Sequence, residues 1–258
     1  MKINQSKTQV VKKTQTVESE SSRVNELNNA FKEYVIQVIE TMLQGELDSF
    51  IGCLKPEQLP KEIEDRRNDS FTKIVQSEFG NLIISVPGDR SIDFNPSLLP
   101  GGTTDIKGME YKLLALCAKG TTDIEVLKII KSIYGLSIRS EVISAVSERV
   151  LSKMQEWQTK QLQTSYPLLY IDSVFTIDDS QDKGIYRKVH SVCGLDRIGS
   201  ITCVGFWVGK SDDAIFVSSV FEELKSRGVE EIGTIAIRGL SGSDEVKSIY
   251  PSAVILTK

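Results

Sequence analysis

From Val24 onward, apolar residues recur in steps of three and four: Val24, Leu27, Phe31, Tyr34, Val35, Val38, Ile39 and Met42. That is the period of an amphipathic helix, and it predicts one over residues 24–52 whose stripe reads as core ahead of a dimer seam. Residues 1–22 are rich in Lys, Gln, Thr and Ser and poor in large apolar side chains, which predicts a loose arm. After a Pro-containing break (55–60) and a charged run (62–67), two β-like runs at 72–77 and 81–86 flank Phe79-Gly80 and predict a hairpin. A loop over 87–102 leads into three helical patterns at 107–119, 122–134 and 140–158. Gly120 and Gly135 stand where C-terminal caps belong, and Thr121 or Thr122 and Ser140 where N-caps belong.

The second half changes period. Residues 168–175 (LLYIDSVF) form a buried-strand pattern, and 186–195 and 200–209 are two more β-rich runs joined by Asp196-Arg197-Ile198-Gly199. A helix over 212–227, a strand over 231–237, a short helix near 243–249 and a last apolar run at 253–256 complete the order. The predicted fold class is α+β: a mostly helical N-terminal region with a β-hairpin and a helix-turn-helix-like segment, then an incomplete ribonuclease H-like α/β domain. The predicted division is a disordered arm at 1–22, a helical DNA-binding or assembly region at 23–160, and the α/β domain at 165–258.

Composition changes this picture little. The chain has 258 residues, 40% hydrophobic and 26% charged, with a formal net charge of −4. Bulk positive charge therefore does not coat nucleic acid here, although a local basic face can exist in an acidic whole. The four cysteines are scattered, with no CxxC pair and a single histidine, so neither zinc ligation nor a disulfide framework is indicated. They read as buried thiols in a reducing compartment. With no secretory pattern at the start and no apolar run long enough to span a bilayer, the expectation is a cytoplasmic protein without membrane contact.

Two segments suggest chemistry. The helices at 122–134 and 140–158, joined by Gly135-Leu136-Ser137-Ile138, make a helix-turn-helix candidate whose second helix would enter the major groove from its N-terminal end. Lys131, Arg139, Ser140 and Ser144 are the candidate DNA contacts. Residues 107–160 carry nine Lys or Arg against six Asp or Glu, an excess of three that a plain helical hairpin with solvated charges also accommodates. The second segment is the strand bearing Asp172. In a ribonuclease H arrangement, a mid-strand aspartate joins two further carboxylates to hold two Mg²⁺ ions about 4 Å apart. Taken alone, Asp172 reads first as a strand-edge or hydrogen-bonded residue, and His190 as a packed side chain.

Longer segments carry more. YPLLYIDSVF, GFWVGKSDDAIFVSSVFEELKSRGVEEI, RGLSG and IYPSA, with SEFGNLIISVPGDR, ALCAKGTTDIEVLKIIKSIYGL and SEVISAVSERVLSKMQEWQ upstream, resemble in order and spacing the segments of Mutator-type insertion-sequence transposases. The resemblance covers roughly residues 30–258. It implies an enzyme that binds the inverted repeats at an element's ends and cuts and rejoins DNA with a three-carboxylate, two-metal centre. Asp172 matches the first family aspartate. The second opens the family's DGL(T/S)G motif, where this chain has Arg238-Gly239-Leu240-Ser241-Gly242.

A guanidinium stays protonated and cannot ligate Mg²⁺, so Arg238 is expected to repel the metal and pair with Asp172. The third carboxylate lies beyond the segment present. Asp178, Asp179, Asp182, Asp212, Asp213, Asp244 and Glu245 read as capping and solvated residues rather than substitutes. Where the family has Ser-Pro-Glu-Thr-(Ile/Val)-Ser, this chain has Arg139-Ser140-Glu141-Val142-Ile143-Ser144, a change expected to remove a DNA-facing donor at Val142. The leading expectation is a truncated transposase-family protein that binds DNA, or pairs as a homo-oligomer or transposase subunit, without productive Mg²⁺. The alternatives are a repurposed DNA-binding regulator that competes with an active transposase, and one part of a divided enzyme.

Overall fold

The computed structural model describes residues 3–53, 70–88, 94–135, 138–179, 185–209, 214–238 and 242–257. For residues 3–24, 26, 174–179 and 185–187 it describes the backbone alone. Helix α1 (Ile3–Gly52) is the spine of the first half. Phe31, Val35, Val38, Ile39, Met42 and Leu43 on it are buried, so the predicted stripe is core. The helix begins far ahead of Val24 and runs through the segment expected to be a loose arm. Helical backbone is continuous there because no Gly or Pro precedes Gly45, and the Lys, Gln and Glu that make the segment polar are good helix formers.

Strands β1 (Ser70–Ser77) and β2 (Gly80–Pro87) form the predicted antiparallel hairpin, with Gly80 at φ +103° leaving the turn. Helix α2 (Glu110–Cys117) is shorter than its pattern predicts at both ends. Gly108 at φ +85° precedes it, and Ala118 turns extended so that Lys119 can bridge to β5. Helix α3 (Asp123–Tyr134) starts at a complete capping box made by Thr122 and Glu125. Helix α4 (Ser140–Thr159) is capped by Arg139 without a side-chain hydrogen bond, so Ser140 is its first helical residue and not its N-cap.

The second half follows the predicted order: β3 (Ser165–Asp179), β4 (Ile185–Leu195), β5 (Ile201–Gly209), α5 (Ala214–Ser226), β6 (Glu231–Ile237), α6 (Ser243–Ile249) and β7 (Val254–Thr257). The sheet order is β5-β4-β3-β6-β7. β4 runs antiparallel to both of its neighbours, β3 and β5, whereas β6 and β7 run parallel to β3. Three antiparallel strands followed by parallel ones is the ribonuclease H-like arrangement, and the whole is α+β.

Two apolar clusters lie on opposite faces of this sheet. One packs α5 and α6 against Leu169, Ile171, Ile235 and Ile237. The other joins α1, α2, α3, α4 and the hairpin to Val189, Cys193 and Phe206, so the helical region and the sheet share one core. Lys119 donates its N–H to the Phe206 carbonyl at 2.8 Å and accepts from the Val208 N–H at 2.8 Å, which covers the outer edge of β5.

Helices α1 and α4 cross closely at Gly45. A Cβ there would lie 2.8 Å from the Val146 Cα, a backbone atom that cannot swing aside, whereas one at Gly52 would meet nothing within 4 Å. Gly45→Val is therefore expected to lower unfolding free energy by about 2–3 kcal/mol through overpacking. Gly52→Val should change it far less, a contrast that urea unfolding of the two variants checks.

Candidate functional site

Asp172 lies on β3 and Arg238 directly follows β6. Because Ile171 and Ile237 are register partners on these parallel strands, the next residue of each falls side by side. The Arg238 N–H donates to the Ile171 carbonyl at 3.1 Å and continues the ladder one step past the strand. The Arg238 guanidinium Nη1 stands 3.6 Å from Asp172 Oδ2. Tyr170, two residues back on β3 and hence on the same face, donates its hydroxyl to that same Oδ2 at 2.8 Å. Arg238 Nη1 also donates to the Tyr170 Oη, at 3.5 Å.

Partial burial raises the Tyr170 hydroxyl above its usual range, with the Arg238 hydrogen bond opposing and Asp172 adding to the rise. The hydrogen bond to Tyr170, then the nearby phenol and Asp172, hold the Arg238 guanidinium protonated. A carboxylate oxygen engaged by both a phenol donor and a guanidinium is not a Mg²⁺ cradle, since the metal must compete with both for that oxygen and Arg238 offers no oxygen ligand in place of a second carboxylate. Among the described residues, no group of three His, Cys, Asp or Glu side chains is placed to hold a metal ion. Asp172 with Arg238 and Tyr170 therefore does not fit a two-metal centre. Asp182, Asp212 and Asp213, and the side chains of Asp178 and Asp179, lie outside the described residues. Asp244 and Glu245 are exposed in the first turn of α6.

Next to Asp172, Ser173 faces His190 across the β3–β4 pair, and the Ser173 Oγ meets His190 Nδ1 at 3.1 Å. His190 is fully buried, its ring centroid 4.7 Å from that of Phe216. It is a packed side chain, as its lack of ligand-spaced neighbours in sequence suggests. Tyr170 is the site residue that sequence reasoning passed over, although its i−2 spacing from Asp172 on a strand was the available signal.

Lys131 lies exposed in the last turn of α3, Arg139 is exposed at the N-cap of α4, and Ser140 and Ser144 are exposed one turn apart on α4. Leu136 and Ser137 of the connecting turn lie outside the described residues. Val142 and Ile143 are both only 6% exposed, packed into the shared core. The Val142 position therefore faces the interior, which corrects the expectation that it once offered a donor to DNA. Glu141 and Glu148 share the exposed side of α4, while Lys131 and Arg139 are exposed at the end of α3 and the start of α4.

The family model for Transposase, Mutator family, matches residues 5–256. The chain belongs to that family. It is 29% identical over 221 residues to the transposase for insertion sequence element ISRM3 of Rhizobium meliloti (strain 1021), covering 84% of this chain and 54% of that protein. Against the transposase for IS905 of Lactococcus lactis subsp. lactis (strain IL1403), identity is 22% over 231 residues, 88% of this chain and 58% of the other. The transposase for IS256 in transposon Tn4001 of Staphylococcus aureus is 21% identical over 200 residues, 77% of this chain and 51% of that one. The chain thus spans about half the length of these relatives. Among the described residues, no helix is long and apolar enough to cross a membrane.

Proposed function

We propose that this Mutator-family chain binds the inverted repeats at the ends of an insertion sequence in the cytoplasm, as a homo-oligomer or a transposase subunit, and does not cut DNA by itself. The observation that carries the reading is the Arg238–Asp172 ion pair at 3.6 Å, standing where the family expects two metal-binding carboxylates. Mg²⁺, the family's expected cofactor, has no productive seat between these side chains. DNA recognition rests on separate residues: Lys131 and Arg139 meet backbone phosphates, and Ser140 and Ser144 approach base edges from the start of α4.

The proposal is tested with element-end DNA in two measurements. In gel-shift titrations, binding should prefer repeat DNA over random duplex and weaken with salt. The double variant Lys131→Ala/Arg139→Ala should lose about tenfold in affinity and reduce the salt slope by about 2. Asp172→Asn should bind as tightly as the parent. In strand-cleavage assays with Mg²⁺ or Mn²⁺, the chain should give no specific nick; site-specific cutting that disappears in Asp172→Asn refutes the reading.

A further inference from the structure

Cys193 on β4 and Cys203 on β5 are register partners, facing each other across the antiparallel pair beside a bulge at Val192/Cys193. Directly opposed residues carry Cβ atoms roughly 4.5–5.5 Å apart, and a disulfide needs roughly 3.5–4.5 Å. The bulge increases the local twist and so moves the facing side chains away from that regular spacing; the Cys203 thiol itself is aimed at the Gly205 carbonyl, at 3.8 Å. Cys193 is buried and Cys203 half-buried, both on the sheet face that meets the helical region. The other cysteines stand apart from this register. The Cys117 thiol is aimed at the Leu113 carbonyl of its own helix, at 3.9 Å, and Cys53 is exposed just past α1.

We infer that Cys193 and Cys203 form an oxidisable dithiol that reacts with a disulfide-class oxidant, such as oxidised glutathione, to give a cross-strand disulfide. Cys203, the more accessible, reacts first. It loses its proton to solvent, and its sulfur attacks one sulfur of oxidised glutathione, breaking that S–S bond and releasing one glutathione thiolate, which is then protonated. Cys193, deprotonated in turn, attacks the Cys203 sulfur of the mixed disulfide and expels the second glutathione. Two protein thiols have then given up two electrons and two protons, and one oxidised glutathione has become two reduced molecules. Burial holds the Cys203 thiol well above its usual range, so the first step accelerates as pH rises. The bond lands where α1 meets the sheet: Tyr34 donates to the Cys203 carbonyl at 3.5 Å and stacks edge-on against Phe206.

The test uses the full chain carrying Cys53→Ser, reduced and then treated under native conditions with oxidised glutathione at mildly alkaline pH. Thiols counted after denaturation should fall from three to one, protein mass should drop by two hydrogens, and peptide mapping should link Cys193 to Cys203. Adding Cys193→Ser should stop the reaction at a glutathione adduct on Cys203. Three thiols surviving until the chain is unfolded, or a bond that instead joins Cys117 to Cys203, overturns the inference.

Discussion

Replacing Glu46 with alanine should destabilise the fold by about 3–5 kcal/mol, because each buried donor left without an acceptor costs about 1–3 kcal/mol. Glu46 is 3% exposed. Its Oε2 accepts the Ser97 N–H at 2.5 Å, and its Oε1 accepts the Leu98 N–H at 2.9 Å and the Tyr134 hydroxyl at 2.8 Å. One carboxylate on α1 thus fixes the loop after the hairpin and the end of α3. Alanine fills none of these roles, and glutamine would turn amide hydrogens toward at least one donor. Urea unfolding at fixed temperature measures the loss.

The same residue gives a pH signature. Burial, the largest influence, raises the Glu46 carboxyl above its normal range, and the three hydrogen bonds only partly oppose it. A raised folded-state value means the native protein binds the proton more tightly than the unfolded chain. The resulting stabilisation is complete below the unfolded value, near 4.5, and is lost as pH rises through the higher folded value. The stability gap between parent and Glu46→Ala should therefore widen on acidification from neutral pH. A gap that narrows instead would show that the hydrogen bonds, and not burial, dominate.

Glu46 also marks what the sequence hides. Periodicity located the α1 stripe, the hairpin and the seven-element order of the second half, because exposed and buried faces alternate with the regular spacing of the backbone. Within GELDSF nothing separates a buried carboxylate from a solvated one, since its partners lie 51, 52 and 88 residues away. Lys119 was likewise assigned to a helix by its neighbours, yet the open edge of β5 draws its backbone into a bridge. Long-range demand overrode local propensity there. At the candidate site, the place of Asp172 and the anomaly of Arg238 were legible through resemblance. Their 3.6 Å approach needed the parallel register of β3 and β6.

Arg227→Met should cost about 3 kcal/mol, toward the lower end of what removing one partner of a buried, hydrogen-bonded charge costs. Arg227 directly follows α5 and is 7% exposed. Its Nε donates to the Lys160 carbonyl at 2.9 Å and its Nη2 to the Val204 carbonyl at 3.2 Å, while Nη1 lies 3.9 Å from Glu223 Oε1. One guanidinium therefore joins the segment leaving α4, strand β5 and helix α5. Desolvation lowers its proton affinity, with Glu223 opposing first, so the charge is held by its partners and not by water. Methionine keeps the apolar stem but leaves two carbonyls without that donor.

Glu223 retains Lys119 at 3.0 Å and the Trp207 indole N–H at 2.7 Å, which keeps the loss below that of a fully stranded pair. Because α1 and α4 share their core with Val189, Cys193 and Phe206 of the sheet, this loss should fall on the whole molecule. Thermal unfolding followed both by helical circular dichroism and by tryptophan fluorescence should stay a single coincident transition that shifts downward in Arg227→Met. Two separated transitions, with the helical one unmoved, would mean that the boundary near residue 160 divides independent folding units and that Arg227 anchors only the sheet.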